Sequence, residues 1–160
     1  MADAGVLELE AYLVGFLSRL EPGERRKTGM RIAAYLQRAR AKTIGANTDP
    51  DGQPFTPRKP RAPQAGDKVA KKKRSIKDRK MFLKARTTKY LRKQATASEA
   101  SVGYAGAMAR LMTVHQEGRK DRVSRAPGSP VAQYPMRRIL GLNEADREEV
   151  LAIVLEQLSE

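Results

Sequence analysis

Two runs decide how this chain reads: YAGAMARLMTVHQEG at Tyr104–Gly118 and YPMRRILGLNEAD at Tyr134–Asp146. The first places Met108, Leu111, Met112 and His115 at steps of three and four, one broad helical side, and predicts a helix over 106–117. Gly118 stands where a left-handed C-cap is needed. In the second run Pro135 confines any strand over 131–139 to an edge or a strand end. Leu140-Gly141-Leu142 then turns the chain, and Asn143 is a good N-cap, with acids in the first turn where the helix dipole favours them. The terminal helix is expected over 144–158, with Val150, Leu151, Val154, Leu155 and Leu158 as its buried stripe. Asp146, Glu148 and Glu149 read as its solvated acidic face. Between the two runs, RKDRVSRAPGSP at 119–130 reads as a basic surface loop.

Working back toward the start, TKYLRKQA and ASVGYAG flank the turn-like Thr96-Ala97-Ser98-Glu99 and predict an antiparallel hairpin within 88–105. Gly103-Tyr104-Ala105-Gly106 is a strand-to-helix turn. Residues 5–20 carry Val6, Leu9, Leu13, Phe16, Leu17 and Leu20 at helical spacing, and Glu21-Pro22-Gly23 stops that helix. A second, more basic helix is expected over 24–44, with Met30, Ile32, Tyr35, Leu36 and Ala39 on its narrower apolar stripe. From Asn47 to Gly66 five Pro and two Gly rule out helix and make an arm that starts in a turn. Asp49-Pro50-Asp51-Gly52 resembles the start of a calcium loop, but the twelfth position, which should carry a bidentate Glu, is Pro60. A plain turn is the better reading.

The fold class that follows is α+β, in a single domain over 1–160. It comprises an N-terminal helix pair, a small antiparallel sheet with a helix packed on it, short strands near 53–57 and 131–139, and a C-terminal helix. Long basic and Pro-rich arms, 47–80, project from it. A chain of 160 residues fits one such domain, since single domains cluster at about 100–150 residues.

Charge is the strongest functional signal. The formal charge is +14, and 16 of the 32 Lys and Arg lie between Arg58 and Lys93, opposed there only by Asp67 and Asp78. Such a run favours an anionic partner and would bind phosphates by counterion release, without sequence preference. Aromatic stacking platforms inside it are limited to Phe82 and Tyr90. The expected partner or DNA contacts are Arg58, Lys59, Arg61, Lys71, Lys72, Lys73, Arg74, Lys77, Arg79 and Lys80. Arg119, Lys120 and Arg122 of the later loop form a second candidate contact. Met81-Phe82-Leu83 is an apolar island able to anchor a short helix or strand to the core.

Several chemistries are excluded. Cysteine is absent, which removes disulfides and thiolate sites, and a lone histidine, His115, cannot form a site that needs two imidazoles. His115 reads as a packed helix-end residue bonded to backbone, with no triad spacing around it. Neither GxxxxGK[ST] nor GxGxxG occurs. No cofactor, metal or catalytic residue is expected. The start of the chain lacks the pattern of a signal peptide, and no apolar run approaches the roughly 20 residues of a membrane span. A soluble protein assembled in a cytoplasm is expected.

Taken together and in order, RARAKTI running into DPDGQPFTPRK, then RKMFLKAR, ASVGYAG, ARLMTVHQEG and YPMRRILGLNEAD resemble the virion-morphogenesis, or tail-completion, family of tailed phages. The resemblance covers roughly residues 25–158. Glu117, Asn143 and the very basic Lys71–Lys80 connector depart from the family pattern, although Asn143 keeps the capping chemistry. The resemblance implies a non-enzymatic virion protein at the head-proximal end of the tail, acting as a homo-oligomeric ring, expected as a hexamer. Tail tube or sheath proteins and head-connector proteins would be its neighbours, with DNA in the channel. The alternative from the residues alone is a small basic nucleic-acid-binding protein without sequence specificity.

Overall fold

The structure, a computed structural model, describes residues 14–15, 21–57, 80–123 and 126–159. The helix expected over 5–20 lies outside these residues, apart from Val14 and Gly15, which are helical. Helix α1 spans Pro22–Ala46, with Pro22 in its first turn, where a missing N–H costs nothing. It ends in a Schellman arrangement: Asn47 is left-handed at φ 70°, its N–H bonds to Ile44 O at 3.1 Å, and Thr48 N–H bonds to Thr43 O at 3.0 Å. The Asp49–Gly52 turn follows, closed by Gly52 N–H to Asp49 O at 3.1 Å and by Gln53 N–H to the Asp49 carboxylate at 2.8 Å. Asp49 is thereby engaged by its own turn, in keeping with the plain-turn reading.

Strands β1 (Leu91–Ala95) and β2 (Ala100–Tyr104) form the expected hairpin, with Leu91 opposite Tyr104 and Ala95 opposite Ala100. Helix α2 spans Gly106–Glu117 and stops at Gly118, left-handed at φ 64°. Strands β3 (Lys120–Arg122) and β4 (Val131–Gln133) make a second, separate hairpin, and α3 spans Glu144–Ser159. The molecule is therefore α+β, with three helices and two two-stranded sheets among the described residues.

Two expectations need correction. Residues 53–57 add no strand and give one isolated bridge, Thr48 to Pro54, because Pro54 and Pro57 cannot donate to a ladder. The segment 131–139 pairs only over its first three residues, and with Lys120–Arg122 in place of the 91–104 hairpin, so the 119–130 connector, expected as a loop, begins as a strand. The helix packed along the first hairpin is chiefly α1, whereas α2 touches it through β2.

Helix α1 approaches closely because the face it turns to the hairpin is small: a Cβ on Gly29 would stand 3.2 Å from that of Ala95, and Ala33 is fully buried. The buried residues of α1, Thr28, Gly29, Ala33, Arg40 and Ile44, replace the stripe of larger residues expected on this helix. On α3 the buried residues are Asp146, Ile153 and Val154, and Leu155 points outward at 48 % exposure. The main core cluster gathers single residues or pairs from α1, β1, α2 and the irregular segments: Ile44, Phe55, Met81, Ala85, Leu91, Met112 and Ile139. Met81 and the packed Phe82 join the core as their apolar island suggests, but the segment they anchor is a series of turns and not a short helix or strand.

Candidate assembly interface

The two diagnostic runs are partners of each other. Gln116, beside the end of α2, clamps the later run with its side chain: Oε1 accepts from the N–H groups of Ile139 (2.7 Å) and Leu140 (2.9 Å), while Nε2 donates to Leu140 O at 3.0 Å. A side-chain amide thus does what a neighbouring strand would do, satisfying backbone groups of an irregular segment. One residue earlier, His115 O accepts from Arg137 N–H at 2.7 Å. Gly118 is required twice over, for its φ and because a Cβ would meet Met136 N at 3.0 Å.

Arg137 is buried and ties this crossing to the basic arm. Its Nε donates to Thr56 O at 2.8 Å, one Nη to Pro57 O at 3.2 Å, and the other lies 3.0 Å from His115 Nδ1. A guanidinium can only donate, so Nδ1 is the acceptor and the imidazole proton sits on Nε2. The His115 ring packs edge-on against Phe82 and Tyr134, with centroids 4.9 and 5.0 Å away, and Phe82 meets Phe55 at 5.7 Å. Phe82 holds a positive φ of 59°, unusual for a bulky side chain, and these ring contacts fix it there. Lys80 Nζ donates to Gly45 O at 2.9 Å, and Met81 N–H to the Asn47 side chain at 2.8 Å. Residues 55–57 and 80–82, which bracket the basic segment, are therefore pinned side by side.

Of the predicted contact residues, Arg58, Lys59, Arg61, Lys71, Lys72, Lys73, Arg74, Lys77 and Arg79 lie outside the described residues. Lys80 is at the root just described. Arg119, Lys120 and Arg122 are exposed along β3, with Arg119 paired to Glu117. Asp121 on the same strand accepts from Arg122 N–H and from Arg110 at 2.8 Å, which hold its carboxyl below the usual range. A groove of about 490 Å³ runs between the arm root and this hairpin, lined by Phe82, His115, Val123, Ala132 and Tyr134.

Also in the C-terminal half of α1, Arg40 and Asp146 form a buried ion pair at 2.6 Å, and Arg40 donates to Gly141 O at 3.0 Å. Asp146 is thus no part of the solvated acidic face expected of it. It is the third residue of α3 and reciprocates its cap: Asn143 N–H bonds to the Asp146 carboxylate at 3.0 Å, and Asp146 N–H to the Asn143 side chain at 2.8 Å. Asn143 Nδ2 also donates to Pro50 O at 2.6 Å, joining the turn to the cap. Tyr35 reaches Asp146 at 3.4 Å, and burial followed by the nearby carboxylates pushes its phenol up. Arg40 and Arg137 were invisible among 32 cations, but an acid three residues after an Asn cap was a readable sign of the capping box.

These side chains hold backbone segments together and present no constellation of nucleophile and base. No cluster of metal-ligating side chains occurs among the described residues, and none of their helices is long and apolar enough to cross a membrane. What the geometry defines is a small α+β fold in which residues 55–57 and 80–82 are held side by side. The chain belongs to the phage virion morphogenesis family, whose model matches residues 7–159, and so to a family of non-enzymatic, virion-building proteins. It is 31% identical over 150 residues to tail completion protein S of Escherichia phage P2, covering 93% of this chain and 94% of that protein. No solved structure gives a significant match.

Proposed function

We propose that this chain completes a phage tail by forming a ring at its head-proximal end, a component of the virion assembled in the host cytoplasm. The observation that carries this reading is the similarity, over nearly the whole of both chains, to a protein named for tail completion. The pinned root supports a division of labour: the folded body builds the ring, and the segment after Pro57 carries Arg58, Lys59, Arg61, Lys71–Arg74, Lys77 and Arg79 to an acidic neighbour or to DNA. Rotational symmetry multiplies a charge of +14 by the subunit number, which is expected to be six. The neighbours in this reading are tail tube or sheath below and the head connector above.

Replacing Lys71, Lys72, Lys73 and Arg74 by Ala tests it. The variant is expected to fold and to form the same oligomer, yet to give several-fold fewer completed particles by electron microscopy. Normal yield of completed particles would remove the role assigned to the arm. A wild-type chain that stays monomeric and binds DNA with steep salt dependence would favour a free nucleic-acid-binding protein instead.

A further inference from the structure

Charge is segregated over the described surface. On α1, Arg38, Lys42 and Gly45 fall at steps of four and three and share one side. Arg38 and Lys42 are exposed, and the exposed Arg86 lies over Gly45, so close that a Cβ there would meet its Nη1 at 2.7 Å. No Asp or Glu occurs from Arg25 to Thr48 or from Lys80 to Ser98, so this face carries no counter-charge from its own two segments. The outer side of α3 has the opposite character. Glu144, Glu148 and Leu155, at steps of four and seven, are all exposed there, with Arg147 the single cation of that helix, 3.7 Å from Glu144.

The inner side of α3 faces α1 through Asp146 to Arg40 and Gln157 to Thr28, and at its edge Glu156 pairs with Arg31, whereas Glu144 and Glu148 lie on the opposite side of α3, away from α1. A two-fold contact made by either face on itself would set like charge on like. A head-to-tail contact sets the basic face on the acidic one, and repeated head-to-tail contacts are what close into rings. Leu155, half exposed on the acidic strip, adds apolar area to such a contact. We infer that the Arg38–Lys42–Arg86 face of one copy docks on the outer face of α3 of the next. The inference rests on the ring reading above and adds to it which two surfaces meet.

Charge exchange in the full-length chain tests it by sedimentation at low and high salt. Arg38→Glu with Arg86→Glu, and separately Glu144→Lys with Glu148→Lys, are each expected to weaken assembly at least tenfold while circular dichroism stays that of the wild type. All four substitutions in one chain restore the assembly, because the exchanged faces again complement each other. Restoration is the readout that a folding defect would not give. A wild-type chain that is monomeric at every concentration overturns both this interface and the ring. A wild-type ring left unchanged by either reversed pair overturns the interface alone. So does a reversal of the basic face that abolishes DNA binding and leaves the ring mass intact.

Discussion

Arg40 and Arg137 are both buried, and they are held by different chemistry. Arg40 faces the Asp146 carboxylate across two helices, whereas Arg137 forks onto the carbonyls of Thr56 and Pro57 and onto His115 Nδ1. An ion pair fixes two particular side chains and therefore one helix packing. A fork onto carbonyl oxygens fixes backbone, whatever side chains follow it. The first arrangement suits the packing of two helices, and the second suits residues 56 and 57, which lead into a sequence given over to charge. The two sites should therefore fail differently when broken.

The largest effect is expected at the ion pair. Asp146→Ala strands the Arg40 charge inside the protein and removes a cap, which should cost about 3–5 kcal/mol in urea unfolding. Adding Arg40→Met should return part of that loss, since an apolar side chain leaves no buried charge behind. A cost below about 1 kcal/mol for Asp146→Ala would mean that water reaches the pair.

Breaking the fork should act more locally. Arg137→Ala removes the donor that joins the carbonyls of Thr56 and Pro57, both exposed residues, and is expected to cost about 1–2 kcal/mol. Hydrogen exchange should accelerate at the amides of Phe55 and Met81, bonded to Asn47, and much less along α3. Arg137→Lys should not restore protection, because an ammonium cannot span Nε and both Nη positions. Uniform acceleration over the whole molecule would erase the distinction between root and body.

How far these sites were legible follows from what each one uses. The hairpin, the Gly118 stop and the Asn143 cap depend on residues near in sequence, so spacing and turn chemistry reveal them. The joint of α1 with the hairpin depends on Gly29 and Ala33, small residues that a search for large apolar stripes passes over. Leu155 fits the helical period and still faces outward, because the inward direction of α3 is set by Asp146 reaching Arg40, a contact 106 residues long. Arg137 and Gln116 bond mostly to backbone far away in sequence, and no residue pattern encodes that. The cationic segment was legible as composition alone.

A smaller effect separates turn strain from close approach. Gly52 and Gly118 both have positive φ, at 85° and 64°, but nothing lies within 4 Å of a Cβ on Gly52, whereas Gly118 faces the Met136 backbone. Gly52→Ala should cost about 1 kcal/mol from conformation alone. Gly118→Ala should cost about 2 kcal/mol, because the 135–137 segment must also move. If the two costs are equal, the crossing of the two diagnostic runs is looser than its distances indicate.

The smallest effect concerns Tyr104, whose hydroxyl is buried with no hydrogen-bond partner among the described residues, beside the core shared by both regions. Burial pushes its phenol well above the ordinary value. The unfolded chain therefore ionises first, so whatever stability this proton retention contributes is intact below pH of about 10 and is lost as pH rises beyond it. Tyr104→Phe removes an unsatisfied polar atom and should leave stability at pH 7 unchanged or raise it by up to about 1 kcal/mol. The same change should flatten the fall in stability between about pH 9 and 11 relative to wild type. Thermal unfolding of both proteins across that range decides it: a destabilised Phe variant at pH 7 would mean that the hydroxyl has a partner after all.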